Sequence, residues 1–255
     1  DFNTASGEEA LFANTIGAQN TATGAAALTS NTSGSGNTAN GFQALLNNST
    51  GNSNTATGFF ALQSNTTGDI NVATGHQALF HNTTGDENVA VGPSALFNNT
   101  TGTDNIAIGS GALLNNTGSG NVALGTLAGA NLTTGNSNLV IGNLLSGVAG
   151  ESNTMRIGLS QFRTFISGIR GVTTGNANAI PVMIDSDGQL GTMSSSRRFK
   201  HEIKPMDTAS QAILLLKPVT FNYKSDNTNT PQFGLIAEEV AQVNPDLVVR
   251  DDNGE

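Results

Sequence analysis

Cysteine and tryptophan are absent from this 255-residue chain, tyrosine occurs once, and only 11% of the residues are charged, against roughly 25% in an ordinary globular domain. Without Cys there is no disulfide scaffold, no thiol nucleophile and no zinc-thiolate site. Zero Cys at this length also fits an extracellular or periplasmic bacterial protein. Positive charge is missing from more than half of the chain: the first Lys or Arg is Arg156, so residues 1–155 carry eight carboxylates with nothing to offset them, and the net charge is −9. Such a surface repels a phosphate backbone, which argues against nucleic acid as a partner. No apolar run approaches the roughly 18–20 residues of a membrane span, and no charged-then-apolar signal stretch opens the sequence at Asp1. Leu, Ile, Val and Phe nonetheless number sixty, above the roughly 20% of a chain below which disorder is the default.

What the sequence has in excess is Gly, Asn and Thr, and they recur. The pattern Asn-x-Ala-x-Gly begins at Asn3, Asn20, Asn37, Asn54, Asn71, Asn88 and Asn105, each step being 17 residues. The next copy begins at Asn121, one residue early, because Asn116-Thr117-Gly118 has lost a residue relative to Asn99-Thr100-Thr101-Gly102. A degenerate copy starts at Asn138. Within the unit an Ala-Leu pair recurs (Ala27-Leu28, Ala44-Leu45, Ala61-Leu62, Ala78-Leu79, Ala95-Leu96, Ala112-Leu113), followed by a Thr-Gly or Ser-Gly turn signal. Seventeen residues cannot hold a helix pair, whereas short alternating stretches bounded by Gly suit strands. The expected fold is therefore mainly β, a parallel β-roll or β-solenoid. About nine coils at roughly 4.8 Å each make a rod on the order of 40 Å long.

Identical positions in a solenoid form ladders. Asn and Gly ladders are expected to supply left-handed turn conformations and side-chain to backbone hydrogen bonds, which also accounts for sequons such as Asn65-Thr66-Thr67 and Asn82-Thr83-Thr84; glycosylation is the other reading of those sequons. Alternation places the Ala of each strand on one side and its two neighbours on the other. With Ala inside, the outward pairs are polar at Thr4/Ser6, Thr21/Thr23, Thr38/Asn40 and Thr55/Thr57, mixed at Val72/Thr74, and apolar at Val89/Val91, Ile106/Ile108, Val122/Leu124 and Leu139/Ile141. A contiguous exposed apolar stripe of this kind marks an interface. The inverted assignment, with the stripe inside the coil, is the alternative.

The stretches Asn88-Val89-Ala90-Val91-Gly92 and Asn105-Ile106-Ala107-Ile108-Gly109 resemble the head repeat of trimeric autotransporter adhesins, a left-handed parallel β-roll whose three copies pack around a shared axis. The resemblance spans roughly residues 1–142; the units here are longer than that family's, and the first four carry Thr where the family has Val or Ile. It implies a homotrimer that buries Val89, Val91, Ile106, Ile108, Val122, Leu124, Leu139 and Ile141 against sister chains.

Beyond Gly142 the period fails, and residues 143–193 read as a β-rich connector or stalk, with β-prone stretches at 155–159 and 162–169 and a hairpin formed by 181–185 and 189–192 around Ser186-Asp187-Gly188. Asp185 and Asp187 are turn residues in this reading, since the Gly-Gly-x-Gly-x-Asp calcium repeat is absent. From Ser194 charge and helical patterning return. Asp207 precedes a helix that Pro218 stops, a strand runs over 219–223, and Ile236, Val240 and Val243 lie at helical spacing.

Three motifs in residues 194–255 occur in order: Ser-x-x-Arg-x-Lys from Ser195 to Lys200, Lys-Pro-Val-Thr-Phe-x-Tyr from Lys217, and Gly-Leu-Ile-Ala-Glu-Glu-Val from Gly234. Together they resemble the endosialidase-type intramolecular chaperone found at the end of phage tail fibres, tail spikes and many bacterial tail-fibre-domain proteins. The resemblance implies that this segment trimerises the fibre as it folds and then cuts itself off, with Ser195 and Lys200 as the cleaving pair and scission between Ser194 and Ser195. Ser196 stands where many members carry Asp, and the sequence ends at Glu255, before the helices that normally complete the domain, so the segment reads as truncated. The chemistry is sound in its own right. A Ser hydroxyl needs a base to take its proton, and a Lys ammonium sheds its proton more readily when buried or beside cations such as Arg197 and Arg198. His201 is read as a surface residue.

The halves combine into an extracellular homotrimeric fibre or adhesin, placed on a bacterial surface, secreted, or in a phage tail fibre. The chain is at most a single-turnover autoprotease. Sister chains are the expected partners, with a host-cell or surface glycan receptor as a further candidate, and no cofactor or metal is expected. The competing reading is an ice-binding or other passive solenoid without cleavage, motivated by the Thr4, Thr21, Thr38 and Thr55 column. A carbohydrate-cleaving carboxylate pair is disfavoured, because Asp69, Asp86 and Asp104 sit at turn positions near Gly and read as a polar edge row.

Overall fold

The structure, a computed structural model, describes residues 2–161, 166, 182–184, 190–191, 201–203, 207–222 and 231–248. The chain divides into two compact units, Asp1–Ser167 and Gly168–Glu255.

The first unit is the expected solenoid. Its strands are β1 (Thr4–Ser6), β2 (Thr21–Thr23), β3 (Thr38–Asn40), β4 (Thr55–Thr57), β5 (Val72–Thr74), β6 (Val89–Val91), β7 (Ile106–Ile108), β8 (Val122–Leu124), β9 (Leu139–Ile141) and β10 (Met155–Ile157). They form one sheet in sequence order, each pair parallel and in register, so that Ala39 meets Ala56 and Ala90 meets Ala107. The middle residue of β2 to β9 is buried and its neighbours face outward, which eliminates the inverted assignment. Ala22 through Ala123 and Val140 make one core column, and the Ala-Leu pairs supply the other two. The core is thin because backbones approach closely, and its apolar part is filled almost entirely by Ala and Leu.

A glycine ends each of the first nine strands because the chain must turn with a backbone that L-residues rarely adopt. At Gly58 φ is +137°, and an added Cβ would lie 2.5 Å from the carbonyl oxygen of Gly75 in the next coil. The other left-handed positions are a correction to expectation, since the third coil, for one, places Gln43, Leu45 and Ser53 there and no asparagine. Leu carries the buried one, with φ of 51° at Leu28, Leu62 and Leu79, and among the described residues Asn153 is the only asparagine with positive φ. A left-handed Leu costs roughly 1–2 kcal/mol. Complete burial of its side chain, as at Leu62, contributes roughly 1.5–3 kcal/mol, and its N–H donates to Ala78 O of the following coil at 3.0 Å.

The asparagines serve as internal brackets. Asn71 is fully buried; its Nδ2 donates to Gly85 O at 2.8 Å, and its Oδ1 accepts the N–H of Asn88 at 3.0 Å. A second buried column runs through Asn65, whose Nδ2 donates to Gly68 O at 2.9 Å and to Asn48 Oδ1 at 2.8 Å. Asn65 and Asn82 have no exposed surface, so their sequons are turn chemistry and their amides are unavailable to a glycosyl donor. Where the repeat loses a residue this second column breaks. Asn116 Nδ2 reaches Gly118 O and Asn105 Oδ1, and Asn99 Oδ1 is left buried without a partner.

The ladder continues past Gly142. β10 pairs with β9 and sets Arg156 opposite Val140, in the column that Ala occupies in earlier coils. The guanidinium is held by Glu151, Nε to Oε1 at 3.1 Å and Nη2 to Oε2 at 2.7 Å, so an ion pair stands where the next apolar rung would be. The Arg156 hydrogen bond, opposed by partial desolvation, holds the Glu151 carboxyl below the usual carboxylate range. Its folded value is thus depressed relative to the unfolded chain. The contribution to stability is complete above the unfolded carboxylate value and disappears as pH falls through the folded one. Arg156 is more than a third exposed, so screening keeps the pair near about 1 kcal/mol. Glu151→Gln should lower unfolding free energy by about that amount at neutral pH and by progressively less as pH falls below the ordinary carboxylate range, read by denaturant titration along that series.

In the second unit β11 (Met183–Ile184) pairs antiparallel with β12 (Leu190–Gly191), in the stretches expected to form a hairpin. A 3-10 helix, Asp207–Leu215, is followed by β13 (Val219–Phe221), which pairs antiparallel with β14 (Gln232–Gly234), and by α1 (Ala237–Val243) and a short 3-10 turn, Pro245–Leu247. Val240 of α1 is buried. No described helix is long and apolar enough to cross a membrane.

Candidate functional site

The strand face is the first candidate. It is flat and regular because each strand stacks in register on the next, and it changes character along its length. From β1 to β4 it presents hydroxyls and one amide; from β6 to β9 it presents Val89, Val91, Ile106, Ile108, Val122, Leu124, Leu139 and Ile141. All eight side chains flank a buried middle residue and so point out of the coil. Val91, Ile106, Ile108 and Leu124 are 37–46% exposed, an unusual state for a contiguous apolar row in water.

The edge after the second glycine of each coil is polar. Asp69 Oδ1 accepts the N–H of Asn52, Asp86 Oδ1 accepts that of Asp69 at 2.7 Å, and Asn136 Oδ1 that of Ser119. These carboxylates close the gap between coils as neighbouring Asn and Ser do. Among the described residues no cluster of His, Asp and Glu suited to a metal occurs.

A third surface escaped sequence reasoning. The rings of Phe42, Phe59 and His76 stack one per coil, 5.2 Å apart and 22° from parallel, then 5.6 Å and 13°. Phe80 and Phe97 form a second stack at 5.2 Å and 9°. Phe60 joins the two, 4.1 Å from Phe59 and 6.0 Å from Phe80, and His81 lies edge-on to the second pair. None of these rings is in the buried core. Writing the repeat in columns would have revealed them, since Phe42, Phe59 and His76 all follow the strand-ending Gly.

In the second unit α1 and the segments flanking it leave, with Leu216, an open apolar groove of about 430 Å³ lined by Leu216, Leu235, Ala237, Val240, Leu247 and Val248. Leu214 and Phe233 are 85% and 84% exposed, so this unit displays apolar surface that a single chain does not cover. Ser194, Ser195 and Lys200 lie outside the described residues. His201, Glu202 and Ile203 directly after them are exposed, as expected for His201.

Comparison with known families bears on this second unit. Residues 195–249 match the family model of the chaperone of endosialidase. The match begins at the serine of the first motif and includes β13, β14 and α1. The C-terminal segment is thus similar to the endosialidase-type chaperone, and it follows a solenoid of 17-residue coils. No curated protein and no solved structure matches the chain.

Proposed function

We propose that the protein is an extracellular homotrimeric fibre, on a bacterial surface or in a phage tail, whose solenoid is the mature shaft and whose C-terminal segment drives assembly and is then released. The observation that carries this reading is the outward Val/Ile/Leu row of β6 to β9. Three copies packed on it bury a surface that one chain leaves in water, and apolar area removed from water contributes roughly 25 cal/mol per Å². The chaperone-family match adjoining the shaft supports assembly in the same molecule. In a trimer the hydroxyl rows of β1 to β4 face each other across the axis and remain hydrated. This also distinguishes the fibre from an ice-binding surface, which needs its Thr rows free.

Release follows from the Ser195 hydroxyl attacking the carbonyl carbon of Ser194 with Lys200 as base. The N–C bond breaks, the proton passes to the departing amine, and water then frees the carboxylate of Ser194. The full chain decides both parts. Ser195→Ala should remain intact and sediment as a trimer, while wild type yields a trimeric fragment ending at Ser194. Ile106→Asp with Ile108→Asp in the Ser195→Ala background should sediment as a monomer. A folded wild type that stays intact removes the cleavage step, and a monomeric Ser195→Ala chain removes the trimer.

A further inference from the structure

We infer that the ring cluster of coils three to six is a binding surface for a neutral glycan chain lying along the solenoid axis. The inference rests on the surface-fibre reading, to which it adds a partner and a location.

The rings are not required by the coil. Phe60 N–H donates to Phe42 O at 3.1 Å, and two coils earlier, where Ala26 and Glu8 stand in those two columns, Ala26 N–H donates to Glu8 O in the same way at 2.8 Å. The same columns elsewhere carry Ala25, Pro93 and Ser110, or Gln43 and Gln77, with the strand register unchanged. Stacking between rings adds some stability, but it leaves Phe42 and Phe59 at 40% and 46% exposure, a cost that ladders of Thr or Gln avoid.

The surface is also distinct from the proposed trimer contact. The Phe42, Phe59 and His76 column directly follows the strand-ending glycine and the Phe80 and Phe97 column follows the Ala-Leu pair, both outside the strands, and the rings fill coils whose strands are β3 to β6. The apolar strand row begins only where the rings are ending. A trimer closed on β6 to β9 therefore does not call for the rings at its axis.

The chemistry selects the ligand. No Lys or Arg precedes Arg156, so an anionic ligand finds no permanent positive charge. Asp69 and Asp86 are engaged in the polar edge row and give a cation no free pair. What surrounds the rings is amide: Gln63 Nε2 donates to Gln43 Oε1 at 2.6 Å, and Gln77 lies in the same column. Aromatic rings beside neutral donors and acceptors suit a molecule with apolar C–H faces and a rim of hydroxyls, which describes an uncharged saccharide. Repetition at coil spacing suits several sugar units in a row.

The test is native electrophoresis of the full Ser195→Ala chain through gels containing dextran, laminarin or hydroxyethyl cellulose, with dextran sulfate as the charged control. Retardation by at least one neutral polymer is expected, and at least a tenfold weaker apparent affinity for Phe59→Ala/Phe60→Gln, whose new residues already occupy those columns in neighbouring coils. A second variant, Phe97→Leu, takes the residue found at Leu114 and should weaken binding less. Equal retardation of wild type and the double variant overturns the inference, as does retardation by dextran sulfate alone or by none of the polymers. A changed sedimentation coefficient for the double variant makes the rings a contact between chains and also overturns it. Loss of the trimer in Ile106→Asp/Ile108→Asp without loss of retardation separates the two proposals.

Discussion

Gly58→Ala is expected to destabilise the solenoid by about 3 kcal/mol or more, whereas Gly36→Ala is expected to cost only about 1–2 kcal/mol. Both positions have positive φ, so both substitutions meet backbone strain. They differ in what the new methyl group strikes. At Gly58 the Cβ lies 2.5 Å from the oxygen and 2.7 Å from the carbon of the Gly75 carbonyl, whereas at Gly36 its nearest neighbour is Ser53 Oγ at 3.6 Å. Backbone cannot step aside as a side-chain tip can, and Gly75 meets Gly92 in the same manner. The only relief is to part the coils, which breaks the bond from Gly75 N to Thr57 O. Denaturant unfolding of the two variants beside wild type measures the difference. Equal losses would mean that coil stacking does not depend on the glycine column.

Asn71→Ala is expected to cost about 2–4 kcal/mol. The substitution leaves the buried N–H of Asn88 without its acceptor and empties the space of a carboxamide. Gly85 O keeps one donor, Asn82 Nδ2 at 2.9 Å, which limits the loss. Asn71→Asp separates the two functions of the amide. Its carboxylate still accepts from Asn88, but it now confronts Gly85 O and Asn54 Oδ1, both of which had received protons from Nδ2. Burial and these oxygens favour the neutral acid, so the folded-state pKa is raised. The variant should be less stable than Asn71→Ala at neutral pH and regain stability as pH falls toward about 4. Circular dichroism melts at the two pH values read the crossover, and the absence of any acid recovery would show that the site is not sealed from water.

The period, the parallel architecture and the inward Ala were legible because they depend on spacing alone. Asn-x-Ala-x-Gly fixes a three-residue strand between a bracket and a turn, and alternation fixes its faces. The left-handed Leu was not legible, since propensity opposes it and only the packing of neighbouring coils reverses the balance. Arg156 escaped for a related reason: a charged residue reads as surface until Glu151 is seen to hold it over the last core layer. The rings were missed because they keep the 17-residue period over only two or three coils per column, in columns that carry Ala, Gln, Pro or Ser elsewhere. The chaperone motifs were legible as a family pattern, whereas the Ser195/Lys200 pair rests on that pattern together with chemistry.

The missing residue before Gly118 has a consequence for how such a solenoid can change over time. The backbone bonds resume immediately, with Thr117 N to Thr133 O at 2.7 Å, and the strand register from β7 to β8 is intact. At the fault Asn99 Oδ1 is orphaned, and the coil-to-coil bond that Thr66 N makes to Thr83 O and Thr83 N to Thr100 O has no counterpart from Thr100 N. Each coil reads its position from its immediate neighbours, so a deletion is absorbed within about one coil and is not transmitted down the rod. Length and outward decoration can therefore drift coil by coil, by duplication or loss, while the architecture stays closed to error.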